Sequence, residues 1–169
     1  ILAGRYYEQE GDIDLIRKIW PSLKLALHWI DHYGDCDKDG FVEYNRKAIG
    51  GLSQQGWKDS QDPIFHANGK LAEFPIALCE VQGYVYEAKL QMANLAKVLG
   101  NYTMCQELSN QADDLKRKFQ SAFWSEELKA YVIALDGKKR QCRILSSNAG
   151  QTLFSGIADN EYAHQISEQ

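Results

Sequence analysis

Residues 75–100, PIALCEVQGYVYEAKLQMANLAKVLG, decide the fold. Leu78, Val81, Val85, Ala88, Met92, Leu95 and Leu99 recur at steps of three and four, an unbroken apolar stripe that ends at Gly100. A second periodic stretch lies upstream, where Ile16, Ile19, Leu23, Leu27 and Ile30 share a helical face behind Asp12, an expected N-cap. Pro21 is expected to kink that helix or begin a new one, and Gly34 to stop it. Downstream, Thr103 and Gln106 have the spacing of a capping box, followed by Met104, Leu108, Leu115, Phe119 and Phe123 on one face.

After Trp124 the period changes to two. Tyr131, Ile133 and Leu135 alternate and run into Asp136-Gly137, a hairpin turn signal. Asn148–Gln151 reads as a cap opening a short helix up to Gly156, and Asp159 as the cap of one more. Residues 35–72 have no sustained period, and a loop that long inside a compact chain is usually functional. The expected class is all-α, with paired antiparallel helices and small β-hairpins in the loops.

Composition bounds the partners. The chain has 169 residues, 44% of them apolar, and a net charge of −4, which gives no electrostatic reason for nucleic acid or an anionic membrane. No apolar run reaches spanning length, and no signal peptide opens the chain, so a cytoplasmic location is expected. Ile1–Tyr7 reads as the middle of a longer sequence, which makes residues 1–169 one partial domain. Cys36, Cys79, Cys105 and Cys142 form no C-x-x-C pair and read as reduced thiols.

Three groups of residues could carry chemistry. Asp35, Asp37 and Asp39 before Gly40 open like an EF-hand loop, but the twelfth position, which should be a bidentate glutamate, is Arg46, so no metal is expected. His28 and His32 lack a third ligand for zinc. Gly56-Trp57-Lys58-Asp59-Ser60-Gln61-Asp62 combines an aromatic platform, a cation and two carboxylates, the parts a sugar site needs. Its structural reading is a capping aspartate beside a buried tryptophan. Glu80, Gln82, Gly83 and Tyr84 fall at the start of the main helix, as a solvated face or as the lining of a pocket.

Asp35–Tyr44, Gly51–Ser60 and Pro75–Tyr86, with Ser146–Gln151 and Ser155–Ala158 further along, resemble bacterial amylo-α-1,6-glucosidases of the glycogen-debranching kind, and the motifs keep their order. The resemblance implies part of an (α/α)6 toroid of helical hairpins and inverting cleavage of α-glucosidic linkages without a cofactor. It implies Asp59 as general acid, Trp57 as a subsite wall, and Lys58, Asp62, Glu80, Gln82, Tyr84 and Glu43 as substrate-binding or supporting residues. The catalytic base is expected outside the chain. The implied partners are an α-glucan or oligosaccharide and the remaining segments of the barrel, with self-association of the isolated chain and no activity of its own. Ser53 and Ala149 depart from the family's asparagine and proline. The other readings are a carbohydrate-binding or structural helical segment without chemistry, and a related glycosidase acting on trehalose or another oligosaccharide.

Overall fold

The computed structural model describes every residue except Asp59, Gln61 and Gln169. Among the described residues, six α-helices carry the fold: α1 (Leu2–Glu10), α2 (Ile13–Trp29), α3 (Cys79–Val98), α4 (Tyr102–Phe123), α5 (Asn148–Ser155) and α6 (Asn160–Ser167). α2 begins on the Asp12 carboxylate, which accepts from the Leu15 N–H at 2.9 Å. Pro21 lies inside α2 without ending it, and a π-helical turn, Ile30–Gly34, extends the helix before the chain turns extended at Asp35.

α3 and α4 form the central hairpin, joined through Gly100 in a left-handed conformation (φ 80°). The cap of α4 is not the Thr103–Gln106 box. Asn101 supplies it, its side chain accepting from the Met104 N–H at 3.1 Å, because the chain turns helical two residues earlier than the box requires. α4 is amphipathic: Leu108, Ala112, Leu115, Phe119 and Phe123 are buried on one face. Phe119 stacks on Phe123 with ring centroids 4.7 Å apart and meets Tyr131 at the same distance.

α3 is buried nearly all round, a pattern the stripe alone does not reveal. α4 and α5 cover it on two sides and α1 near its middle, so even Glu87, Lys89 and Gln91 are withdrawn from solvent. Each of the three has a polar neighbour, although one oxygen of Glu87 and one of Gln91 stay without a hydrogen-bond partner. Arg5 donates to Glu87 at 2.8 Å, and Lys89 reaches Asp31 at 2.6 Å and Gln111 at 2.7 Å. Gly83 is where α5 approaches α3 closely, since a Cβ there would lie 2.5 Å from Ser155 Oγ.

Among the described residues, two small antiparallel sheets close the ends. β1 (Ala77–Leu78) pairs with β4 (Ala134–Leu135), which pairs with β5 (Gln141–Cys142); β2 (Trp124–Ser125) pairs with β3 (Ala130–Tyr131). The expected alternation of Tyr131, Ile133 and Leu135 is not a half-exposed strand. Residues 130–135 are all buried, because they pass between α4, α6 and the sheet. The Asp136–Arg140 turn holds as expected, with the Gly137 N–H donating to the Glu73 carbonyl at 2.7 Å. α5 starts after Ser147 and ends at Gly156 (φ 75°). Asp159 precedes α6, but its carboxylate accepts no capping hydrogen bond and lies 3.3 Å from the Lys116 ammonium.

An apolar groove of about 420 Å³ runs between α1, α2 and α3, and Leu25 and Trp29 of α2 stand exposed beside it. No helix is long and apolar enough to cross a membrane among the described residues.

Candidate active site

The first turn of α3 places Glu80, and an acidic side chain suits the positive end of the helix dipole. Its carboxyl is fully buried (0% exposed). Oε2 accepts a weak contact from the Cys79 thiol at 3.7 Å, while Oε1 has no hydrogen-bond partner. Gly56 lies directly over it: a Cβ there would come within 3.3 Å of Glu80 Oε1 and would strike Leu78 Cδ1. The loop bearing Trp57 therefore closes over the Glu80 carboxylate, and only a glycine lets it come so near. Burial raises the hydroxyl pKa of both Tyr44 and Tyr84, and the Glu80 carboxylate adds to both. Burial, again reinforced by Glu80, likewise pushes the Cys79 thiol up, so Cys79 is a packing group and not a nucleophile.

Gln82 sits two positions further along α3, also fully buried. Its Oε1 accepts from the Val42 N–H at 2.9 Å, and its Nε2 donates to the Val42 carbonyl at 2.8 Å and to the Leu78 carbonyl at 3.0 Å. The amide thus pairs with both backbone groups of Val42 as a neighbouring strand would. That clamp fixes the next two residues. Glu43 N–H donates to the Gly34 carbonyl at 2.8 Å, and Tyr44 exchanges backbone bonds with Ile76 at 3.0 Å. The Tyr44 hydroxyl donates to Gln54, which ties the strand-like segment to the loop that covers Glu80.

Glu43 lines an open cleft of about 470 Å³ together with Trp29, Tyr33, Tyr44, Arg46, Gln55 and Leu78. Its side chain is 1% exposed. Oε1 accepts from Lys139, and Oε2 is unpartnered. Burial pushes this carboxyl above the usual range; Lys139 works against that, and Asp37 and Asp39 add to it. A carboxyl with a raised pKa and a free oxygen at a cleft is a candidate to hold or move a proton.

The remaining candidates are dispersed around this core. Trp57 is 67% exposed on the covering loop, as an open stacking platform is. Lys58 is half-buried and Asp62 exposed. Asp59 lies outside the described residues. Tyr84 donates to Gln151 of α5 at 3.2 Å. The structure therefore brings Gly56 onto Glu80 and Tyr44 onto Gln54, leaves Glu43 at the adjoining cleft, and assigns Gln82 to holding backbone. Lys139, Tyr44 and Gln54 had no local signal in the sequence, since each acts on a residue distant in the chain.

The Asp35, Asp37 and Asp39 carboxylates come within 4.8 Å of one another. Lys139 stands among them, donating to Asp37 at 2.9 Å and Asp39 at 2.7 Å. His28 of α2 and His32 of the π-helical turn face each other, ring centroids 3.9 Å apart, and both are exposed.

Comparison with known proteins fits this architecture. Among solved structures, the GH78 family rhamnosidase of Bacillus sp. GL1 aligns over 98% of this chain with a TM-score of 0.72 and 19% identity. The chain spans 16% of that protein's length. No curated protein matches. The resemblance to amylo-α-1,6-glucosidases thus holds at the level of the (α/α)6 glycosidases, and the debranching type is not what the comparisons carry. Residues 1–148 match the model of the bacterial alpha-L-rhamnosidase 6 hairpin glycosidase domain, and the chain belongs to that family of glycosidase domains.

Proposed function

We propose that these residues form part of the active site of a glycoside hydrolase that removes an α-linked terminal sugar, with the Gly56–Asp62 loop and the start of α3 as one wall of the sugar site. The observation that carries this reading is the Glu80 carboxyl, fully buried with an unpartnered oxygen beneath Gly56. A buried acceptor without a donor is costly, and a fold that keeps one beside a loop rich in aromatic and acidic residues is holding it for a ligand hydroxyl.

Asp59 is the proposed general acid, since the departing sugar oxygen must be protonated as its bond breaks. Trp57 offers a face for a pyranose ring, and Glu43 is a second carboxyl at the adjoining cleft. Cleavage by inversion places the base across the sugar, roughly 6.5–9.5 Å away, on a segment outside this chain. The family description favours an α-L-rhamnoside as substrate. The resemblance that Gly51–Ser60 and Pro75–Tyr86 carry to amylo-α-1,6-glucosidases implies an α-1,6-linked glucoside instead. A panel of nitrophenyl α-L-rhamnoside, nitrophenyl α-glucoside and an α-1,6-linked oligosaccharide, given to the full-length protein, separates the two. Turnover of one class, lost in Glu80→Gln with the melting temperature kept, supports the reading. Wild-type rates in Glu80→Gln on every substrate refute it.

A further inference from the structure

The motif left unexplained by the sugar site is Asp35-Cys36-Asp37-Lys38-Asp39-Gly40. Counted as a calcium loop, Asp35, Asp37 and Asp39 take positions one, three and five, Gly40 takes the glycine position, and Glu43 takes position nine. The backbone follows that scheme. Gly40 has a positive φ of 100°, and its N–H donates to Asp35 at 3.0 Å. Asp39 accepts from the Phe41 N–H at 2.8 Å. Arg46 stands where the bidentate glutamate of such a loop belongs.

A cation is nonetheless present at the turn. Lys139, at a positive-φ position (60°) in the turn between β4 and β5, extends its ammonium to Asp37, Asp39 and Glu43, positions three, five and nine. We propose that the Asp35–Gly40 loop is a cation-binding turn whose resident cation is the Lys139 ammonium, which makes Lys139 the positioning residue for Glu43 in the wall of the cleft. Three donors on one nitrogen suit three carboxylates, where a calcium ion needs six or more oxygens. The unpartnered buried Glu43 Oε2 and Asp35 Oδ1 mark coordination capacity that an ammonium does not use. Burial works against the charge of Lys139, but its bonds to Asp39, Glu43 and Asp37 outweigh this and raise its pKa, so the ammonium stays charged at any working pH. The importance of Glu43 to a sugar site rests on the function proposed above; the identity of the cation in the loop does not.

The test uses the chain itself and thermal unfolding in chelator or in about 1 mM calcium chloride, the range of weak oxygen-donor sites. Wild type should melt at the same temperature in both. Lys139→Ala should melt roughly 5–10 °C lower in chelator, the scale of breaking a partly buried ion cluster in a domain of this size, and should regain about 1–5 °C of that in calcium. Lys139→Arg, which keeps a cation, should lose less and gain nothing from calcium. Lys139→Gln replaces the alanine variant if that one does not fold. Adding Asp37→Asn to Lys139→Ala should abolish the calcium response. A calcium-dependent rise in wild type would show that the ammonium does not hold the site. An unchanged melting temperature in Lys139→Ala, or a loss that calcium leaves unrepaired, would equally overturn the assignment. None of these arms reads glycosidase activity, so the failure of either proposal is visible separately.

Discussion

Replacing Gln82 by methionine keeps the length of the side chain and removes every hydrogen bond it makes. The amide is fully buried and makes three bonds, all to backbone: one from the Val42 N–H and one each to the Val42 and Leu78 carbonyls. A typical bond contributes about 1 kcal/mol net, and a buried partner left unpaired costs about 1–3 kcal/mol. Two of the three partners sit on Val42, which is only partly buried, so water can repair part of the loss. Methionine also spares the desolvation of an amide. The balance is a loss of roughly 2–4 kcal/mol, or a melting temperature lower by about 4–16 °C at the ~2–4 °C per kcal/mol of a domain this size. Urea unfolding followed by circular dichroism measures it, with an unchanged m-value required for the comparison. Gln82→Glu sharpens the test. It keeps the acceptor for Val42 N–H and turns a carboxylate oxygen toward two carbonyls, so it should be less stable than Gln82→Met at neutral pH. If Gln82→Met lies within about 0.5 kcal/mol of wild type, the range of ordinary surface substitutions, the clamp is not what holds residues 42–44.

Gly83→Ala should cost about 1–3 kcal/mol, because the new methyl meets Ser155 Oγ at 2.5 Å and Ser155 Cβ at 3.2 Å; adding Ser155→Ala should recover part of it, as double-variant unfolding curves can show. Asp136 should contribute to acid lability. Burial alone would raise its pKa, but the Arg140 guanidinium and the Arg140 and Lys138 amides outweigh burial and hold it at about 2. A carboxyl depressed in the folded state adds stability above its ordinary value near 4, and that stability is lost as pH falls from there toward 2. Asp136→Asn should therefore flatten the fall of melting temperature between about pH 4 and 2; an unaltered pH profile would contradict the ion pair's role.

Much of the scaffold was legible because it depends on local periodicity. The stripe from Leu78 to Leu99 places α3, and the Asp12 cap fixes the start of α2. What periodicity does not show is how many sides of a helix are covered. α3 reads as amphipathic but is enclosed by α1, α4 and α5, so Glu80, Gln82 and Glu87 are buried instead of solvated. The same limit applies to residues 130–135, whose alternation describes one face of a segment buried on both. In the candidate site, the local composition of the 56–62 loop pointed to sugar chemistry. Its closeness to Glu80 follows from the packing of Gly56 on Leu78, a contact between residues 22 apart that no window reveals. Lys139 was less accessible still. It reads as a turn lysine after Asp136-Gly137, and only the β4–β5 hairpin brings it to an acidic loop about 100 residues earlier.

The central claim, that the Gly56–Asp62 loop supplies the proton to a departing sugar, is tested most directly by the leaving-group dependence of Asp59→Asn in the full-length protein. Asparagine keeps the shape but has no proton to give, so kcat on a natural oligosaccharide should fall by ~10²–10⁴. On a nitrophenyl glycoside, whose leaving group needs little protonation, the fall should be much smaller. Equal losses on both substrates, accompanied by a drop in stability of roughly 0.5–2 kcal/mol, would instead describe a helix-capping aspartate and would contradict the account.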